Sequence, residues 1–452
     1  MSTTQLSAKY RRDRATSTVA AFLTVMTSST PVAMGFLVIP GSEHFGVTTA
    51  QFLIYFTLFL ITSALMFSVT GRLMSRFGLK IVLTLSGILS ALAWVGMAYS
   101  PNIYVFYIFA FVMGVGASGN NLLPSKTLVI GWHVHKRRGT VLGIVATGAA
   151  FGGLLIGLIF PGIMKAGGFV GGSLAIGAMI FICSVLPGLF LAKNPPRPGE
   201  ENADEGTIET TTKEGRKAAI KGFGLTIFIL SIGTFLFSLE GAFGSVQAAV
   251  YPTFGIDLAA AGLMISFYSM CGIVAKPLLG IMYDKLGIKV LFVAMTALFV
   301  LGLPSLALTL QLGLNLTYVF LAIAALSLSI PTVIVPLIAV NAAGRERFAT
   351  VYGFMLTGSF TGTGIGAPAW GLVYDLTGDF TLAMYMGGAC GLIGLLLVFI
   401  AMRRGLRTRA ALNETSTTGI FLPDNAEEAS EELVAEAVVA DAGSADEVAA
   451  AK

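Results

Sequence analysis

The chain has 452 residues, of which 55% are hydrophobic and 12% charged. Soluble domains carry about 25% charged residues, and a soluble fold of this length could not hide so much apolar surface, so the composition calls for lipid as solvent. The formal charge of +4 is scattered along the chain and makes no nucleic-acid patch; the three cysteines lie singly in apolar runs, which argues against zinc or a disulfide framework.

A hydrocarbon core of ~30 Å needs about 20 apolar residues per helix. Residues 1–17 are polar and basic, and the first apolar run, near 18–40, has no small-residue cleavage site. It reads as a membrane helix and not as a removable signal. Spans 2 to 6 follow at 49–71, 80–99, 103–131, 139–164 and 169–192. Residues 193–221 are polar, open on Asn194-Pro195-Pro196 and read as a linker. Spans 7 to 12 lie at 222–251, 258–282, 288–310, 315–341, 350–373 and 381–402. The expected architecture is all-α, with twelve transmembrane helices in two six-helix bundles, 18–192 and 222–402. The tail, 403–452, is rich in Ala and Glu and reads as disordered.

With both termini placed in the cytoplasm, 25 of the 28 Lys and Arg fall in cytoplasmic loops and tails. The opposite loops hold only Lys165, while Lys126 and Lys276 lie within spans. This asymmetry fits the positive-inside rule and an even number of spans. A plasma membrane, bacterial in type from the compact loops, is the expected location.

The halves echo one another. Gly71-Arg72-Leu73-Met74-Ser75-Arg76-Phe77-Gly78-Leu79-Lys80 follows span 2, and Gly280-Ile281-Met282-Tyr283-Asp284-Lys285-Leu286-Gly287-Ile288-Lys289 follows span 8, at an offset of 209. Gly143, Gly148 and Gly152 in span 5 match Gly353, Gly358 and Gly362 in span 11 at an offset of 210. Two echoes in matching topological places point to duplication of a six-helix unit.

The stretch Gly71–Lys80 resembles the loop signature of the major facilitator superfamily. That resemblance covers about 18–402 and implies a two-bundle carrier with a central cavity, its loops serving as conformational switches through Gly71, Arg76, Gly78, Lys80, Gly280, Asp284, Lys285 and Gly287. The family's usual acid at the fifth position is Ser75 in the first loop and Asp284 in the second. Trp132 with Lys136-Arg137-Arg138-Gly139 and Gly143, Lys276-Pro277-Leu278-Leu279-Gly280, and Gly371-Leu372-Val373-Tyr374-Asp375-Leu376-Thr377-Gly378 are together similar to stretches of monocarboxylate porters and oxalate:formate antiporters.

Charges at membrane depth are costly and functional by default. Lys276 is the strongest candidate: an ammonium there suits a carboxylate, and the resemblance implies contact with the substrate anion; the alternative is snorkelling to the surface. Lys126 reads as a snorkelling residue or an inner-mouth cation. Glu240, the only acid within a span, is a candidate for carrying a coupling proton or for pairing with Lys276; the bland reading is a structural bond. Thr27, Asn120, Asn121, Tyr268 and Ser359 are candidate cavity residues, with interhelical bonding as the bland reading. The monocarboxylate porters are expected to carry a lysine on span 1, and the oxalate antiporters a second cation on span 11; this chain has neither, so one firm cation favours a small monoanion.

His44, His133 and His135 lack the HExxH spacing, and no Walker loop is present. Neither catalysis nor a cofactor, metal or ATP is expected. The expected activity is secondary transport of a small organic anion, foremost a monocarboxylate, by alternating access, as an anion exchanger or a proton symporter. The expected partners are that anion, the lipid bilayer, and protons or a counter-anion. Two alternatives stand: an efflux carrier for a neutral or cationic compound, and a non-transporting receptor that keeps the fold.

Overall fold

The structure, a computed structural model, describes residues 3–120, 122–132, 138–194, 223–313 and 316–411. Among these residues every regular element is helical. Span 1 comprises a helix over Thr3–Met26, one tight turn over Thr27–Ser29, and a helix over Thr30–Phe45. Pro31 stands in the first turn of that second piece, where a missing N–H costs nothing. Spans 2 and 3 are Thr49–Phe77 and Leu79–Ala98, and span 4 is Ile103–Asn120 followed by Leu122–Trp132.

Spans 5 and 6 form one run, Arg138–Ile180, broken only at Gly168 (φ 55°, ψ −149°). Its 43 residues would make a straight helix of ~65 Å, twice the hydrocarbon thickness, so the chain reverses at Gly168. A wide turn over Phe181–Val185 and a short helix over Leu186–Phe190 finish span 6. Span 7 is Gly224–Glu240 and Phe243–Val250, with a gap between them, and ends in a tight turn over Tyr251–Phe254. Spans 8 and 9 share Leu258–Leu301 and continue as Leu303–Leu312; spans 10 and 11 share Thr317–Thr377; span 12 is Thr381–Ala411.

Side-chain contacts show that the long runs also double back. Tyr318, at the start of span 10, stacks edge-on with Phe267 near the start of span 8, at 5.3 Å between ring centres. Span 9 has therefore returned the chain to the level where span 8 began. Arg409 Nη1 donates to the Asn341 carbonyl (3.1 Å), so the middle of the 61-residue run Thr317–Thr377 lies at the end where span 12 finishes. We call that end, which also carries Ser17 and Lys193, the base; the opposite end is the crown.

Nine segments of the described residues are long and apolar enough to cross a bilayer, one of them Ile144–Phe190, which holds two spans. This is consistent with the twelve expected. The duplication is visible in the backbone. Left-handed Gly46 (φ 63°) and Gly255 (φ 75°) end spans 1 and 7 at an offset of 209, and Gly168 and Gly378 (φ 82°) turn the crown loops at an offset of 210. The helix caps Thr48 and Asp257 stand in register as well.

One expectation needs correction. The helix of span 12 does not stop near 402 but runs to Ala411, so residues 403–411 are ordered helix. Arg409 is buried against Asn341, and Gly405 packs so closely on span 10 that an added methyl would fall 2.3 Å from the Ala342 carbonyl oxygen. Those contacts continue the helix beyond the apolar run. The rest of the tail, 412–452, lies outside the described residues, as do 195–222 of the linker.

Candidate functional site

Among the described residues the halves meet along three seams. Between spans 5 and 8 a methyl on Gly262 would fall 2.3 Å from the Gly157 carbonyl oxygen, and one on Gly153 2.6 Å from Ser269 Oγ, whereas one on Gly272 would be 4.0 Å from its nearest neighbour, Ala150. Ser266 Oγ donates to the Leu154 carbonyl (3.0 Å). The two helices touch backbone to backbone near the crown and pack less tightly at Gly272. Between spans 2 and 11, Thr57 Oγ1 donates to the Gly364 carbonyl (2.5 Å), and a methyl on Gly371 would lie 2.9 Å from the Ala50 backbone. Between spans 1 and 7, a methyl on Gly35 would lie 3.2 Å from the Ser245 carbonyl oxygen. These close contacts all lie on the crown side, so the crown is shut.

Lys276 stands one turn beyond Gly272 on span 8. Gly262, Ser266, Ser269, Gly272 and Lys276 recur at steps of four, three, three and four, which puts them on one helix face. The first three of them touch span 5, so Lys276 is on the face turned toward the first half. Its side chain is half-buried. Tyr268, two turns earlier, is also half-buried, and its ring lies 6.3 Å from that of Phe243 in span 7.

Asn120 is 3% exposed, and its side-chain Nδ2 has no hydrogen-bond partner among the described residues. Its carbonyl accepts from Thr27 Oγ1 (3.2 Å), which also bonds the Thr24 carbonyl (2.7 Å). Thr27 and Asn120 therefore meet at the break in span 1. The break in span 7 begins after Glu240, about one turn later in its repeat than the break in span 1, which ends before Thr30. Interruptions in the same span of two repeats are the usual pointer to a carrier's binding region.

At that second break span 11 donates to carbonyls at the end of the first piece of span 7: Thr363 Oγ1 to Ser238 (3.2 Å) and Trp370 Nε1 to Leu239 (3.2 Å). About one turn earlier, Thr234 Oγ1 of span 7 donates to the Met355 carbonyl of span 11 (3.1 Å). Ser359 Oγ and Ser238 Oγ share a bond of 2.5 Å, so this candidate cavity hydroxyl already has an interhelical partner. Glu240 is fully buried inside the second half. Ser327 Oγ donates to its Oε1 (3.1 Å). Oε2 has no hydrogen-bond partner among the described residues and lies where a methyl on Gly391 would come within 2.8 Å. The hydrogen bond that Glu240 makes is with Ser327, not with Lys276.

The first switch loop is tied to the start of the linker. Gly78 has φ 86°, which residues with side chains rarely adopt, and an added methyl would lie 2.9 Å from the Asn194 side-chain amide and push it away. Asn194 Oδ1 accepts from the Lys80 backbone N–H (2.9 Å). Trp132 Nε1 donates to the Lys193 carbonyl (3.0 Å), and the Lys193 N–H donates to Ser17 Oγ (3.1 Å). The linker thus leaves from a point fastened to spans 1, 3 and 4. Arg76 is exposed, its guanidinium 5.4 Å from the Phe77 ring, and Gly71 has open space beside it. Asn121 lies outside the described residues. Lys126, Gly280, Asp284, Lys285 and Gly287 lie on described helices, but their side-chain surroundings do not.

Sequence reasoning gave Asp375 no role beyond its place in a resembling stretch. In the structure its carboxylate accepts from two backbone amides at the start of span 2, Thr49 N–H to Oδ1 (3.0 Å) and Ala50 N–H to Oδ2 (2.8 Å).

Two pseudo-equivalent helical halves, a shut crown and a polar region at paired helix breaks define a multi-pass membrane carrier. The Major Facilitator Superfamily model matches residues 17–245 and 223–424, and the chain belongs to that family of transporters. It is 23% identical to human (Homo sapiens) monocarboxylate transporter 14 over 73% of this chain and 78% of that one. It is 23% identical to a probable sulfoacetate transporter of Cupriavidus necator over 77% and 84%. It is 26% identical to a multi-drug resistance efflux pump homologue of Lactococcus lactis over 55% and 60%. Among solved structures it shares the fold of a bacterial homologue of the human lysosomal transporter Spinster, with a TM-score of 0.67, 17% identity, and coverage of 88% of this chain and 98% of that one.

Proposed function

We propose that the protein carries a small organic anion, foremost a monocarboxylate, across the plasma membrane by alternating access, with its termini and base in the cytoplasm. The observation that carries this reading is the place of Lys276: half-buried, on the face of span 8 turned to the other half, one turn beyond the point where the packing of that seam loosens. A cation there meets a passing carboxylate between the two halves and lets it go when the halves rock. Thr27 and Asn120 stand at the break in span 1 and Tyr268 two turns above the cation, so they supply uncharged contacts. The names of two relatives, a monocarboxylate and a sulfoacetate transporter, agree with an anionic cargo. Exchange and proton symport are the two modes of coupling; in symport, Glu240 beside Ser327 is the acid that takes the proton.

Reconstitution in liposomes tests the proposal. Lys276→Ala lowers carboxylate uptake by about 30-fold or more, the loss expected on removing one member of a buried charge contact, while Lys276→Arg keeps part of it. Full carboxylate flux in the alanine form removes the anion reading. A second reading, efflux of a neutral or cationic compound, is favoured by the similarity to a multi-drug pump and by the buried acid Glu240. Thermal shifts of the purified protein with cationic drugs and none with mono- or dicarboxylates would select it.

A further inference from the structure

We propose that Asp375 is the clasp of the crown: its carboxylate holds the two halves in the crown-shut state by gripping the first backbone amides of span 2. The first four N–H groups of a helix have no partner inside the helix. Span 2 satisfies only part of this need by itself. Its capping box uses Thr48 and Gln51: Gln51 N–H donates to Thr48 Oγ1 (3.2 Å) and Thr48 N–H to Gln51 Oε1 (3.1 Å). The amides of Thr49 and Ala50 are left over, and one carboxylate from span 11 takes both. The bonds are charge-assisted, and the helix dipole adds to them. A Gly on span 11, Gly371, lets the two backbones come this close.

The contact joins residues 325 or more positions apart in the chain, from different halves. Any motion that opens the crown between spans 2 and 11 must break both bonds. The repeat shows that the device is not a by-product of the fold. The position 210 residues before Asp375 is Lys165, and the start of span 8 is capped by its own Asp257, which accepts from the Ala260 N–H (3.0 Å). One seam is clasped across the halves; its counterpart is not. The proposal rests on alternating access but not on the identity of the cargo.

The test reads crown opening directly. Leu53 is fully buried and lies against Gly371. In Leu53→Cys protein in nanodiscs, modification by a water-soluble maleimide, located by mass spectrometry, reports the opening of this seam from either orientation. Asp375→Asn leaves one amide facing an amide and raises the rate of modification about tenfold, equivalent to about 1.4 kcal/mol. Thr49→Pro deletes one donor at a helix position that tolerates proline and gives a rise in the same direction, and the two changes together give less than the product of their separate effects. Thr48→Ala weakens the helix start without touching the contact between halves, and leaves the rate unchanged. The proposal is overturned by an unchanged rate in Asp375→Asn and Thr49→Pro, or by an equal rise in Thr48→Ala, which would mean that Asp375 merely stabilises the helix. Carboxylate flux decides the cargo separately, so failure of one reading does not imply failure of the other.

Discussion

The seam between spans 5 and 8 and the seam between spans 2 and 11 occupy equivalent places in the duplicated fold, yet they hold in different ways. Spans 5 and 8 meet glycine on glycine, with Gly157 and Gly262 in backbone contact and Ser266 adding one hydrogen bond. Spans 2 and 11 meet through the Asp375 carboxylate, the Thr57 hydroxyl and the Phe67–Phe360 ring pair at 5.5 Å. Close packing loses much of its attraction within an ångström of separation but has no directional demand, so one helix can roll against the other. A two-point hydrogen bond to a helix start is either made or broken. The first seam therefore behaves as a pivot and the second as a clasp. A duplicated unit needs only one clasp; at the start of span 8 the side-chain cap is its own Asp257 on the Ala260 N–H.

The largest expected effect comes from spoiling the pivot. Gly262→Val puts a branched side chain where even a methyl would meet the Gly157 carbonyl at 2.3 Å. A carbonyl within a helix cannot swing aside, so the two helices must shift apart at that point. Overpacking of this kind costs about 1–3 kcal/mol. Because the pivot is in contact throughout the cycle, the cost falls on the crown-shut and crown-open forms alike: thermal stability and net flux fall, while the balance read by modification of Leu53→Cys changes little. Flux at the parent level would show that spans 5 and 8 are not held together in the working cycle.

This contrast was not legible in the sequence, though the spans were. Hydropathy and the basic residues suffice for the spans because burial in lipid is a coarse property, averaged over some 20 residues. The glycines echoed in spans 5 and 11 left a trace of contacts within each half, Gly148 and Gly152 against span 1 and Gly358 and Gly362 against span 7, but not of the pivot pair Gly157 and Gly262. The clasp left none: the partners of Asp375 are backbone amides, which every residue has. Helix rotation was equally hidden. Glu240 reads as an acid within a span, but that it is buried with Ser327 and Gly391 as neighbours depends on how span 7 turns at its break. Ser359 reads as a cavity hydroxyl until Ser238 is found 2.5 Å from it. The break in span 1 does have a signal in Thr27-Ser28-Ser29-Thr30-Pro31, hydroxyl residues that compete for backbone bonds ahead of a proline. The extension of span 12 to Ala411 has no apolar signal, because contacts with Asn341 and Ala342 hold it.

A matched pair of smaller changes sharpens the distinction. Thr57→Val and Ser266→Ala each remove one hydroxyl that bonds a carbonyl of the other half. A hydrogen bond of this kind contributes about 0.5–1.5 kcal/mol. In the clasp, loss of the Thr57 bond falls wholly on the crown-shut state, because that bond cannot survive separation of spans 2 and 11. The population of the open crown should rise by about 2- to 10-fold, seen again as faster modification of Leu53→Cys. In the pivot, Gly157 and Gly262 stay in contact without Ser266, and the Leu154 carbonyl keeps its place within the helix. The change should be smaller than about twofold, near the lower end of what a hydrogen bond contributes. Unequal responses from two equal chemical deletions are what a clasp and a pivot require. Equal responses would mean that both seams open together by the same amount, and the two halves would then separate as flat faces, with no line about which to rock.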